Sequence, residues 1–307
     1  MKAPAFYDPA IIGSLELPKV QEATEEGRRQ NVAPAAEDKQ KVILVNVDFQ
    51  VDFVFPNGAL PVANALGDVE RTVDWVFRNL DQVTTIASSI DSHIPVQIFY
   101  STWWVDENGN PPAPYTMITL KDVEDGKWRP VVDPVWTRKY LTELDKGGKK
   151  TLMIWPFHCM IGTPGQALVP NLMEAIAFHS AARRSQPVYL VKGSIPQTEN
   201  YSIVEPEVKY PKHPAGDLNT PFLDLVARHD LVYVAGEAKS HCVLDTMHSI
   251  VKHFAGQDEI LGKIRFLMDC TSSVEHPDVP FNEIANAELA EMEKLGVRLV
   301  KSTDPIG

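Results

Sequence analysis

The sequence predicts an α/β protein, a three-layer αβα sandwich around a mostly parallel sheet of about six strands. Three observations carry this. Short continuous apolar runs such as Lys41–Val47 (KVILVNV) and Leu231–Ala235 (LVYVA) read as strands buried on both faces. Stretches with helical apolar spacing alternate with them, which is the pattern of parallel strands joined by crossover helices. The chain has 307 residues, 44% of them hydrophobic, ample for one large domain.

Taken in order, residues 1–40 are rich in Ala, Pro, Glu, Gln and Lys, and read as an N-terminal arm on the surface or on a neighbouring subunit. Residues 41–307 form the domain. Lys41–Val47 is its first central strand and ends in Asp48-Phe49-Gln50-Val51-Asp52-Phe53. Leu66, Val69, Val73, Val76, Phe77 and Leu80 share one helical face. Val83–Ala87 is the second strand and leads to Asp91-Ser92-His93; Pro95–Phe99 is a further extended piece. Residues 100–150 hold Trp103, Trp104, Trp128, Trp136 and several prolines, and Glu107–Pro114 (ENGNPPAP) excludes regular structure. Residues 100–130 are expected to cover a pocket mouth or to meet a neighbouring subunit, so a homo-oligomer is expected. Thr151–Trp155, Val188–Val191, Ile264–Met268 and Val297–Val300 are the remaining strands; helices follow from about Pro170 and over Phe281–Leu295.

Leu231–Thr246 concentrates the chemistry. Gly236 and a polar step follow the strand, then Cys242, then helical spacing through Val243, Met247, Ile250, Val251 and Phe254. A thiol in a first helical turn meets free N–H groups that favour a thiolate and can hold an oxyanion. The alternative is a small buried core residue. Asp48 and Lys192 also sit just past strand ends, where open parallel sheets bind ligands. An acid, a cation and a thiol there form a working set for covalent catalysis; separately, each also reads as a turn acid, a solvated strand end and a core residue.

With these residues in view, residues 41–303 resemble the nicotinamidase and isochorismatase-like cysteine hydrolases. Asp48-Phe49-Gln50-Val51-Asp52-Phe53 matches that family's Asp-x-Gln-x-Asp-Phe; Lys192-Gly193 with Tyr201-Ser202, and Gly236 to Val243, match its later motifs. The resemblance implies the isochorismatase-like hydrolase fold and a catalytic triad of Asp48, Lys192 and Cys242. It also implies a cis peptide at Glu237–Ala238 and an oxyanion hole at the N–H groups of Ala238 and Cys242. Asp91-Ser92-His93 and Trp155-Pro156-Phe157-His158-Cys159 resemble the metal site of the nicotinamidase branch, so Asp91, His93 and His158 are the implied ligands. Zinc is the expected divalent ion, with iron or manganese as alternatives. Phe53, Trp155 and Tyr201 are the implied substrate contacts. Three features depart from the pattern: Glu237 replaces an apolar residue, Lys239-Ser240 replaces Thr-Asp or Thr-Glu, and Ile94-Pro95 with the Trp/Pro-rich insertion replaces the His-Pro-x-x-His-x-Ser-Phe that follows the Asp-x-His.

The expected function is cleavage of a small amide through a cysteine thioester, with nicotinamide to nicotinate and ammonia as the best substrate. The alternatives are a related hydrolase for a ureido or carbamoyl compound, or a non-catalytic assembly module. Net charge of −12, without a basic stripe, speaks against nucleic acid or an anionic membrane as partner. Apolar runs are strand-sized, and three cysteines in no paired pattern fit a reducing, cytoplasmic setting.

Overall fold

The computed structural model describes residues 4–147, 150–276 and 279–307. Six strands form the central sheet: β1 Val42–Val47, β2 Val83–Asp91, β3 Val188–Lys192, β4 Leu231–Gly236, β5 Ile264–Leu267 and β6 Arg298–Val300. Their order is β6-β5-β4-β1-β2-β3, and every neighbouring pair is parallel. The chain builds outward from β1 to β3, then crosses back to place β4 on the other side of β1. The crevice beyond β1 and β4 is therefore a topological switch point, the usual ligand position in such sheets.

Strand alternation separates two cores. Val42 and Leu44 face one core, while Ile43, Val45 and Val47 face the other. The first core takes helices α1 (Val20–Arg29), α2 (Ala65–Arg78), α3 (Pro134–Gly147) and α4 (Pro170–Arg183). The second takes α5 (Thr220–Arg228), α6 (Leu244–His253) and α7 (Phe281–Lys294). Among the described residues, no helix is long and apolar enough to cross a membrane.

The N-terminal arm lies against its own domain. Helix α1 packs on α4, and Phe6 and Tyr7 are buried against Phe77 and Phe178. Two of the expected strands are not in the sheet. Leu152–Met153 pairs antiparallel with Met117–Ile118, and residues 95–99 form turns. A central strand needs backbone partners on both sides, and β2 already has β1 and β3. The insertion is also more ordered than its prolines suggest. It contains α3 and a short helix, Leu120–Glu124, and three of its tryptophans are anchored through their ring N–H groups. Trp103 donates to Thr137 Oγ1 at 2.9 Å, Trp104 to Ile98 O at 2.6 Å and Trp136 to Gln197 O at 2.7 Å.

Candidate active site

Four adjacent strands deliver the polar groups. Asp48 follows β1, Asp91 ends β2, Lys192 ends β3, and Cys242 lies in the turn after β4. Asp91 and Lys192 are register partners across β2 and β3. Asp48 leaves its strand with φ of +48°, a left-handed backbone that is costly for a non-glycine residue and typical of functional positions. The motif around it is structural as well. Gln50 clamps the backbone of Asp91, donating from Nε2 to its carbonyl and accepting from its N–H, both at 2.7 Å. Asp52 accepts from Cys159 N–H at 2.7 Å, which fixes the loop that carries His158.

Lys192 is the hub. Its Nζ lies 2.8 Å from Asp48 Oδ2, 3.2 Å from Asp91 Oδ1 and 3.6 Å from Cys242 Sγ, and donates to Asn200 O at 2.9 Å. Burial works against its charge, but Asp48 and Asp91 outweigh burial and hold the ammonium well above its usual range. Burial pushes the Asp48 carboxyl up, against the pull of Lys192 and of a hydrogen bond from Ser89 Oγ.

Burial opposes the thiolate expected of a helical first turn. Burial drives the Cys242 thiol well above its ordinary value; Lys192 opposes this, and Asp48 and Asp91 add to it. Cys242 is also not in an α-helical first turn. It sits in a π-helical turn, Lys239–Val243, ahead of α6. The Glu237–Ala238 peptide before it is cis, as the resemblance implies.

The cavity above Cys242 is lined by Phe53, Trp155, Tyr201, His158, Ala238 and His241, closed by Leu60, Val62 and Val274. Trp155 Nε1 donates to Tyr201 Oη at 3.0 Å, and the Phe53 ring lies 5.4 Å from the His158 ring. No described residue of 100–147 lines this cavity. The insertion instead backs its wall, with Tyr115 edge-on to Trp155 at 6.1 Å.

Asp91, His93 and His158 each turn one donor atom to a common point, all within 4.8 Å of one another. His93 Nδ1 faces Gly193 O at 3.0 Å and His158 Nδ1 faces Pro156 O at 2.8 Å. A carbonyl can only accept, so each Nδ1 carries the proton in the neutral ring and each Nε2 lone pair is directed inward. One carboxylate and two imidazoles so oriented fit a zinc-type ion with open positions. In the protein alone, His93 Nε2 lies 2.9 Å from Asp91 Oδ2. Burial lowers the His93 pKa, but Asp91 outweighs it and raises it overall; burial and His93 bring His158 down to about 3.

Two residues of this site escaped the sequence reading. Glu199 lines the cavity, and burial, partly offset by His93, pushes its carboxyl up to about 7. Its signal was weak: an acid two residues before Tyr201, in a loop. His241 lines it too, with Nδ1 2.9 Å from Ser240 Oγ and burial holding it neutral, its pKa down to about 3. Next to Cys242, it read only as a polar step.

No protein-family model and no curated protein matches the sequence. Solved structures do match the fold. The yeast nicotinamidase Pnc1p, bound to the inhibitor nicotinaldehyde, is 20% identical with a TM-score of 0.58, covering 85% of this chain and 99% of that one. A nicotinamidase/pyrazinamidase of Acinetobacter baumanii is 20% identical with a TM-score of 0.55, covering 87% and 99%. The chain has the isochorismatase-like hydrolase fold. In this fold the carboxyl ends of β1 to β4 form one polar floor, and that floor holds every residue of the expected triad and metal set. A third match, PnC1 of L. infantum in complex with nicotinate, is 20% identical with a TM-score of 0.50, covering 87% and 95%.

Proposed function

We propose that this chain is an amidohydrolase that cleaves a small aromatic primary amide through a cysteine thioester, nicotinamide being the best single substrate. The observation that carries this is the Lys192 ammonium, which touches Asp48, Asp91 and the Cys242 thiol on the floor of an aromatic cavity. The fold likeness to structures holding nicotinaldehyde and nicotinate supports it.

The neutral thiol defines the roles. Asp48 takes the Sγ proton as sulfur bonds to the amide carbon, and the carbonyl electrons move onto oxygen, where the N–H groups of Ala238 and Cys242 stabilise them. Asp48 then gives that proton to the amide nitrogen as the C–N bond breaks, and ammonia leaves. Water, deprotonated by Asp48, attacks the thioester; the C–S bond breaks and the sulfur regains its proton. The sum is amide plus water to carboxylic acid plus ammonia. Lys192 keeps Asp48 and Asp91 compensated throughout. Phe53 and Trp155 provide apolar walls for a flat ring. Asp91, His93 and His158 would hold a divalent ion, zinc by its donor set, and that ion would supply a Lewis-acid contact for a ring nitrogen.

A second reading has one observation in its favour. Asp91 and His93 already satisfy each other at 2.9 Å, as a metal-free amidase for a ureido or carbamoyl compound would require. Ammonia release from nicotinamide, ureidoacrylate, biuret and carbamoylsarcosine separates the two. Mass spectrometry of quenched turnover should show an acyl group on Cys242. Release from none of these amides, with no adduct, would sink both readings.

A further inference from the structure

Beside the reactive cavity lies a second, open cleft of about 690 Å³. The same three chain segments line both. Leu60 and Val62 border the first and Ala63 and Asn64 the second; Ala238 and Cys242 border the first and Lys239 the second; Val274 borders both. The two spaces therefore share a wall, with Cys242 on one side and Lys239 on the other.

The cleft is built for negative charge at one place. Lys239 is only 7% exposed, and its Nζ donates to Asn286 Oδ1 at 3.0 Å. An ammonium has three donors, and a buried one held by a neutral amide is costly unless an anion joins it. Among the described residues no carboxylate forms an ion pair with Lys239, although Asp68, Glu237 and Glu283 lie near enough to favour its charge. Asp68 is bound to Arg71 at 2.7 Å, and burial, with Asp68 beside it, pushes the Glu237 carboxyl well above its usual range. Thr271 lines the same cleft, is 4% exposed, and its Oγ1 has no hydrogen-bond partner among the described residues. Helix α7 starts at the cleft and has no side-chain cap; its first N–H, of Phe281, is taken by Val279 O, and Glu283 lies in its first turn at the positive end. Glu275 and Glu283 also line it, and both are solvent-exposed.

We propose that this cleft receives an anionic tail, a carboxylate or a phosphate, on a substrate whose amide lies at Cys242. The inference rests on the amide-hydrolase reading and extends its substrate class beyond nicotinamide to amides that carry an acidic arm passing Val274.

The test is a homologous series of ω-carboxy primary amides, a matching ω-phosphono series, and uncharged alkyl amides of equal length, assayed by ammonia release. One charged series should exceed the uncharged one in kcat/KM by about tenfold or more, since a site built for a polar partner rejects its absence. Which charged series wins identifies the tail. Lys239→Gln should erase most of that advantage by raising KM for the charged amides. Should that variant fail to fold, inorganic phosphate decides with the wild-type protein: it should compete with the charged amides and not with the uncharged ones. Equal kcat/KM across the series, or phosphate inhibiting all amides alike, overturns the proposal. If no amide is hydrolysed, the amide-hydrolase reading fails first. The cleft is then judged by calorimetric titration of Cys242→Ala with phosphate: saturable binding that Lys239→Gln abolishes supports an anion site, and no binding overturns it.

Discussion

Lys192 Nζ lies 3.6 Å from Cys242 Sγ, yet burial, with Asp48 and Asp91 beside it, pushes the thiol well above its usual range. The ammonium is shared with two carboxylates that lie closer to it, at 2.8 and 3.2 Å, so little of its charge is left for the thiol. In the proposed mechanism the pair that matters for attack is therefore Cys242 with Asp48, with Lys192 as the counter-ion that makes two buried acids tolerable.

A thiol of this kind reacts late. Iodoacetamide labelling of Cys242 should accelerate steadily from neutral into alkaline pH, with no plateau near pH 7. Cys242→Ala should lower ammonia release by about a thousandfold or more while leaving the circular dichroism unchanged. Cys159 and Cys270 are buried away from the cavity, and their alanine variants should keep most activity. A labelling rate already maximal at pH 6 would contradict the neutral thiol.

The sheet was legible because β1 and β4 are continuous apolar runs, and the grouping of Asp48, Lys192 and Cys242 because each lies at or beyond the carboxyl end of a strand. Thr151–Trp155 misled because an apolar run does not say which partners it has; β2 leaves no free edge for it. The thiol's protonation was not legible either. Helix position suggested a low pKa, whereas burial beside Asp48 and Asp91 decides it, and those neighbours come from distant parts of the chain. Glu199 was invisible for the same reason: only folding buries a loop acid.

The metal reading predicts about one divalent ion per chain in protein purified without a histidine tag. Chelation should remove it together with nicotinamide turnover, and zinc should restore both. His93→Ala should lose the ion while retaining Cys242 labelling. Metal-free protein that hydrolyses a small amide at full rate would leave only Asp48, Lys192 and Cys242 in play.

His179 gives a stability test remote from the chemistry. Its Nε2 lies 2.8 Å from Val83 O, and burial brings its pKa from 6.5 down to about 4. Between those values the unfolded chain binds a proton that the folded chain refuses. Stability should therefore fall as pH drops from 6.5 to 4 and stop falling below that, a contribution on the order of 3 kcal/mol. His179→Gln keeps a donor but cannot titrate. Chemical denaturation across this range should show a flatter acid limb, and an unchanged slope would exclude His179 as its source.

Gly193 offers the sharpest probe of the polar floor. It follows Lys192 with φ of +81°, and its carbonyl accepts from Gln97 Nε2 at 2.7 Å and faces His93 Nδ1 at 3.0 Å. A Cβ there would collide with Asp91 Oδ1 and lie 2.7 Å from His93 Cε1. Gly193→Ala should therefore displace two of the three candidate ligands at once. Gly109 is the control. Its φ is +85°, but a Cβ there meets nothing within 4 Å, so Gly109→Ala carries only the left-handed backbone cost, about 1–2 kcal/mol. Thermal melts, metal content and ammonia release should be measured on both. Gly109→Ala is expected to lose a few degrees and keep its metal and rate. Gly193→Ala is expected to lose metal and at least about a hundredfold in rate, in the range seen when reacting groups are misplaced by about 1 Å. Full metal and full rate in Gly193→Ala would show that Asp91 and His93 do not have to hold this geometry for the protein to work.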